Sequence, residues 1–278
     1  DTIAVVYAAV AFVMMNAGFV QLRAMAQGHL ALKGHLKPSD AENIFQTKVT
    51  SIVRVSDVAR RTWPFALTGL FHLVYFQSPV ILLKYLASDQ AAGIYNVSIT
   101  IMAVVYLLPS AIYLQYLLPK FHRWANYDRS RFLEVYRAGN GGMLLLGVFA
   151  SGAILLLTPW VIPLLFGKVY QEAVSLLAIL ALCAPVRFLA VSIGATLVTQ
   201  EHMRLKVYYM GMTAIINVLL NILTIPVYGA QGAAVSTLLS EIMLLTLFLL
   251  AVRKHVFGSD AWRGWSLSVK TSAEEIKS

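Results

Sequence analysis

A chain of 278 residues that is 59% apolar and only 13% charged, with a mean hydropathy of +0.71, departs from an ordinary soluble domain, where about a quarter of residues are charged. Lys and Arg number 22 against 13 Asp and Glu, a net charge of +9, but so little total charge argues against a soluble nucleic-acid binder. Cys183, the single cysteine, lies in an apolar run, which excludes an internal disulfide framework or thiolate metal cluster.

Seven stretches reach bilayer length in chain order: 2–22, 64–86, 91–118, 139–163, 172–199, 205–226 and 229–252. Each holds the ~20 apolar residues that cross ~30 Å of hydrocarbon as a helix, and none alternates with the period of a porin strand. The first run starts directly after Asp1 with no charged n-region or cleavage box, so it reads as a span and the chain as a fragment or processed product. The last two runs meet at Pro226–Gly229. Read as one helix they would extend ~72 Å, so two crossings are expected. The runs from Ala153 to Phe166 and from Val174 to Val186 lack the polar face a soluble bundle needs. The fold class is therefore all-α, a polytopic membrane protein.

Between the first two spans, residues 23–63 form the longest connection. Ile44, Phe45, Val49, Ile52 and Val53 share a face within 41–61, which suits a helix at the membrane interface or a plain linker helix, before Trp63-Pro64 opens the next span. Prolines at 79, 109 and 185, with Pro159 and Pro163 near a span end, predict kinks or breaks. Gly232, Ser236 and Ser240 make a small-residue stripe, and Gly141 or Gly142, Gly147 and Gly152 thin another helix for close packing. Trp63, Trp124 and Trp160 fall at span ends, as interface anchors do. The tail after Val256 turns polar and reads as a frayed end.

The charges sort by connection. Lys and Arg number seven in 23–63, five in 119–138, two in 200–206 and five from Arg253 onward, while the intervening connections hold Lys84, Lys168 and none. Nineteen of the 22 thus lie on alternate connections, the positive-inside pattern. It predicts an outside N-terminus and a cytoplasmic C-terminus, and makes nucleic acid an unnecessary partner. Membrane lipids with anionic headgroups are the natural neighbours of those loops.

Polar residues at membrane depth are the functional candidates. Arg187 follows 13 largely apolar residues and precedes another 11 before Thr199, so it faces a wet cavity or a buried acid, or else braces the break at Pro185. Glu241, the acid midway through 229–252, either titrates, pairs with Arg187 or another base, carries ion coupling, or stays neutral in a helix contact. Asn217 and Asn221, with Thr224, share one helix face and either line a passage or bond a neighbouring helix. His72, Gln77 and Asn96 complete the candidate set, with Thr100 and Gln115 beside them. Tyr75 and Tyr95 either border a sugar-sized cavity or pack. Catalytic signatures are not found in the sequence, no metal-ligand set stands out, and no cofactor is expected. Many spans, short loops and broken helices point to transport and not to an enzyme.

Three segments carry a resemblance. Residues 91–120 (AAGIYNVSITIMAVVYLLPSAIYLQYLLPK), 160–173 (WVIPLLFGKVYQEA) and 217–241 (NVLLNILTIPVYGAQGAAVSTLLSE) resemble, in order and spacing, segments of polysaccharide and O-antigen (lipid-linked oligosaccharide) flippases of the multidrug/oligosaccharidyl-lipid/polysaccharide exporter superfamily. The resemblance covers about residues 60–255. It implies two six-helix lobes around a central cavity, this chain supplying one preceding span (1–22), a basic cytoplasmic interlobe connection (23–63), the C-terminal six-span lobe (64–252) and a cytoplasmic tail (253–278). The N-terminal lobe would be a missing partner, and the fragment alone would be inactive. The implied activity is translocation of isoprenoid-diphosphate-linked oligosaccharide across the cytoplasmic membrane, with Arg187 as the candidate for the diphosphate. A coupling ion, Na+ or H+, stays open, because the acid many relatives carry near the position of Ser78-Pro79 is absent. A multidrug exporter of the same superfamily and a polytopic membrane glycosyltransferase are the alternatives.

Overall fold

The computed structural model describes residues 55–118, 120–121, 124, 128–199, 202–262 and 265, together with 12–13, 16–18 and 20. The chain divides into two compact units, Asp1–Arg60 and Arg61–Ser278. In the first unit the described part of the 2–22 run is helical, with Asn16 Nδ2 donating to the Phe12 carbonyl at 2.8 Å. The rest of that run, and the expected interfacial helix up to residue 54, lie outside the described residues.

Six α-helices carry the described part of the chain from Val55 onward: α1 (Val55–Leu86), α2 (Asp89–Ser110), α3 (Arg129–Leu165), α4 (Ala173–Ala181), α5 (Cys183–Thr199) and α6 (Met203–Val252). Pro64, expected to open a helix, instead lies inside α1, which starts at Val55. The apolar span still begins near it, at Ala66. Two helix starts are capped by side chains. Ser88 Oγ accepts from the Ala91 amide at 3.1 Å, and Asp128 Oδ1 from the Arg131 amide at 3.0 Å. The Arg131 amide, aided by the Ser130 hydroxyl, holds the Asp128 carboxyl below its ordinary pKa.

Four of these helices are long and apolar enough to cross a membrane, and α4 with α5, bent by 41° at Leu182, makes a fifth crossing. The bend has its cause in Pro185. A proline ring there has no N–H to bond the Ala181 carbonyl and would collide with it, so the helix restarts at Cys183 and Pro185 sits in the tolerated first turn. Gly147 of α3 fits against this restart, where an added Cβ would come within 2.5 Å of Pro185 Cα. Gly142 and Gly152 meet no neighbour within 4 Å, so close approach on α3 is needed at Gly147 and not along the whole predicted row. Pro109 has a different effect. Beyond it α2 widens into a π-helical segment, Ala111–Leu117, that turns Tyr113 into the interior.

The α6 element is two limbs. Gly229 has φ 55° and ψ −135°, a conformation that breaks the helix and that residues with a Cβ rarely adopt. Asn217 Nδ2 reaches Ser240 Oγ at 3.0 Å, and Thr224 Oγ1 meets Ser236 Oγ at 2.9 Å. In a continuous helix Asn217 and Ser240 would stand ~34 Å apart, so the chain doubles back as a hairpin. The first limb (203–228) and second limb (230–252) lie side by side along the Gly232, Ser236, Ser240 stripe. At Gly232 a Cβ would come within 2.6 Å of the Thr224 carbonyl oxygen. Among the described residues, four helices and the bent α4–α5 pair are thus long and apolar enough to cross a membrane, and the last of them, α6, is folded into two limbs.

The exterior is apolar: Leu164 is 82% exposed, Trp160 77% and Phe149 76%. The interior holds aromatic, small and polar side chains, among them Tyr95, Tyr136, Phe188, Asn140 and Glu241. This is the arrangement of a bundle in lipid, where helices associate through packing and hydrogen bonds. The tail corrects one expectation. Residues Val256–Trp262 are folded, not frayed: Phe257 stacks on Phe132 and Tyr136, Tyr136 Oη donates to the Ala261 carbonyl, and Arg129 Nη2 donates to the Val256 carbonyl at 2.8 Å. The apolar pair Val256-Phe257 is enough to dock the turn onto α3 before the polar residues begin.

Candidate functional site

Pro185 fixes where α5 restarts, and two residues later Arg187 points between α1, α2 and the second limb of α6. Its Nη1 donates to Glu241 Oε1 at 3.1 Å, and its Nη2 lies 3.3 Å from His72 Nδ1. The guanidinium is over the rings of Phe76 and Tyr106, 5.4 and 5.7 Å from their centroids. Glu241 is 1% exposed, and its Oε2 has no hydrogen-bond partner among the described residues. The pair is therefore single-pronged. An Arg-carboxylate fork would use both oxygens, whereas here one oxygen and several guanidinium donors stay uncommitted.

The arginine also borders open space. A cavity of about 310 Å³ is lined by Thr68, His72, Ser110, Arg187, Lys206 and Phe248, with smaller apolar side chains between them. Apart from Arg187, which lies near the middle of the α4–α5 crossing, each of these lies toward the end of its helix that leads into a basic connection, so the cavity runs from mid-bundle into its basic half. Two cations and an imidazole line a volume with one acid, Glu241, behind it. Such a lining favours an anion and supplies donors that suit phosphate oxygens.

Of the sequence candidates, the structure brings Arg187, Glu241 and His72 together. Asn217 and Asn221 are buried between the limbs of α6. Asn217 Nδ2 bonds Ser240 Oγ, and Asn221 Nδ2 bonds the Asn217 carbonyl at 2.8 Å and its Oδ1 at 3.1 Å. Gln77 and Asn96 are exposed on α1 and α2, outside the cavity lining. Tyr75 and Tyr95 are buried and both bond Thr237, through its carbonyl at 3.1 Å and its hydroxyl at 2.9 Å, so they pack.

Lys206 was missed, having been counted as a loop charge. The signal was present: Lys206, Met210, Thr213, Asn217 and Asn221 follow the 4-3-4-4 spacing of one helix face, so the lysine heads the same inward stripe as the asparagines. A second buried cluster had no sequence signal. Ser192 Oγ bonds Asn140 Oδ1 at 2.5 Å and Tyr113 Oη at 2.8 Å, tying α5 to α3 and to the π-helical segment. Among the described residues no group of three or more His, Cys, Asp or Glu could hold a metal ion.

No family model matches the chain. A protein of Shigella dysenteriae named "Putative O-antigen transporter" is 26% identical over 199 residues, covering 70% of this chain and 48% of that protein. A solved MOP superfamily transporter from Pyrococcus furiosus, described as having a binding pocket of reverse polarity that suggests a different function, matches with a TM-score of 0.63. Its sequence identity is 17%, over 79% of this chain and 49% of its own. The chain thus spans about half the length of each. The structural likeness shows the fold, and the O-antigen transporter bears out the resemblance drawn from segments 91–120, 160–173 and 217–241. The chain is a multi-pass membrane protein whose described residues are helical and share the fold of about half of that MOP transporter.

Proposed function

We propose that this chain forms one lobe of a two-lobe transporter that moves an isoprenoid-diphosphate-linked oligosaccharide across the cytoplasmic membrane. The observation that carries the reading is the shared cavity of Arg187 and Lys206, which runs into the basic half of the bundle. A diphosphate cannot cross hydrocarbon unaided, but its lipid tail can stay in the bilayer while a polar cavity shelters the headgroup and sugars. The guanidinium offers a planar fork to phosphate oxygens, and the ammonium adds a mobile point charge. Transfer then needs binding and a change of access, and no bond is made or broken. The charge sorting of the connections supports a cavity open to the cytoplasm, where such lipids would load. A cationic-drug exporter would need a free acid in the cavity, whereas Glu241 is engaged by Arg187.

The test is flipping of a fluorescent isoprenoid-diphosphate oligosaccharide in vesicles carrying the intact two-lobe protein, scored per folded molecule. Arg187→Lys should lower the rate and Arg187→Ala lower it further. Unchanged flipping per molecule in Arg187→Ala removes this residue from the substrate path. Turnover of a nucleotide-sugar donor by the same vesicles would favour a glycosyltransferase instead. Cysteines placed at Asp89 and Lys168 should label from outside, and those at Arg129 and His202 from inside. Labelling of all four from one side defeats the orientation.

A further inference from the structure

Arg187 already holds an anion, the carboxylate of Glu241, so an anionic headgroup entering the cavity meets a cation whose charge is half spent. With Glu241 ionised, the pair is neutral and the incoming anion also faces a buried negative charge. With Glu241 protonated, Arg187 and Lys206 act together and the repulsion is gone. Resting on the headgroup reading above, we propose that Glu241 is an internal competitor for the anionic headgroup, and that the headgroup binds together with one proton, the headgroup to Arg187 and the proton to the Glu241 carboxylate.

The geometry supplies a place for each. Glu241 Oε2 is buried and without a hydrogen-bond partner among the described residues, the neighbouring Tyr75 hydroxyl being spent on the Thr237 carbonyl, so it can accept the proton without breaking another bond. Arg187 is held to Glu241 through Nη1 alone and faces the cavity, so a headgroup oxygen can replace Oε1 as its acceptor. The proton comes from the cytoplasmic solvent and converts the carboxylate to a carboxylic acid, and no other group changes its bonding. Among the described residues the titratable and charged groups around Glu241 are few. His72 and Tyr75 face it from α1, Tyr106 from α2, Arg187 and Cys183 from α5, and Lys206 stands across the cavity from the first limb of α6. No second carboxylate is among them to take the proton instead. His72 adjoins Arg187 through Nδ1, and a proton on its imidazole would add a repelling cation there, so Glu241 is the better proton site.

The deciding measurement is proton uptake as inorganic pyrophosphate binds the Asp1–Ser278 chain in detergent, read by calorimetry in two buffers of unequal ionisation heat. Proton exchange by pyrophosphate itself is common to all variants, so differences report the protein. Near neutral pH the wild type should take up about one proton more than Glu241→Gln. Glu241→Gln should bind at least about tenfold tighter than wild type, with a flatter dependence on pH. Glu241→Asp keeps the titrating group, so uptake persists, and this variant carries the decision if Glu241→Gln does not fold. Equal uptake in wild type and Glu241→Gln, with binding still abolished by Arg187→Gln, overturns the inference and leaves the headgroup reading standing. Binding without uptake in both wild type and Glu241→Asp overturns it equally. Absence of pyrophosphate binding in every variant overturns both.

Discussion

Two polar clusters lie at membrane depth, and they differ in what they border. Between the limbs of α6, Asn217, Asn221, Thr224, Ser236 and Ser240 bond one another away from the cavity, with Gly232 bringing the backbones close and Asn221 Oδ1 left without a partner among the described residues. Around Arg187, by contrast, a single-pronged ion pair borders an open volume, with an unpartnered carboxylate oxygen behind and a second cation beside it. Polar residues in a span are costly wherever they occur, so depth alone does not separate helix glue from a ligand site. Spare hydrogen-bond capacity next to a cavity does.

Breaking the charged cluster should have the largest effect. Arg187→Ala leaves Glu241 buried without its partner and should cost about 3–5 kcal/mol of stability, measured by thermal unfolding in detergent. Adding Glu241→Ala should restore part of it, and a double variant no more stable than the single would show that the pair is not the source. At the hairpin turn, Gly229→Ala forces a Cβ into a conformation reserved for glycine and should cost about 1–3 kcal/mol, with pyrophosphate binding unchanged. Lys206→Gln sharpens the contrast from the other side: stability should hold while pyrophosphate affinity falls about tenfold, the equivalent of ~1.4 kcal/mol. The smallest effect belongs to the clasp. Asn217→Ala should destabilise by about 0.6 kcal/mol, the usual worth of a hydrogen bond between membrane helices, without altering anion binding. A loss of anion affinity in Asn217→Ala would erase the distinction between the clusters.

The crossings could be read from sequence because a span is a local property: some twenty apolar residues suffice wherever they occur. The hairpin was also local, since Pro226 and Gly229 interrupt a run too long for one passage. The break near Pro185 was expected, but its place at Leu182, three residues before that proline, follows from what a proline cannot bond. What the sequence could not show was which way each helix is turned. His72 and Glu241 meet Arg187 across 115 and 54 residues of chain, and a rotation of α1 by half a turn would have brought other side chains there. For the same reason Gln77 and Asn96, equally polar and equally deep, lie outside the cavity lining. Val256–Trp262 escaped because two apolar residues in a polar tail are too few to register as an element, yet enough to dock against Phe132 and Tyr136.

The hairpin at Gly229 also bears on how the chain is made. As the first limb leaves the ribosome it carries Asn217 and Asn221, and Asn217 has no partner for its amide on its own helix. Ser236 and Ser240, which meet it, are synthesised only after the turn. A limb released singly into lipid would expose the Asn217 amide to hydrocarbon, whereas two limbs emerging together enter already joined. Insertion as a paired unit is therefore the expected order of biosynthesis. A nascent chain stopped just before Gly229 should remain beside the translocon until the second limb arrives, and its crosslinks to the translocon should persist for that long.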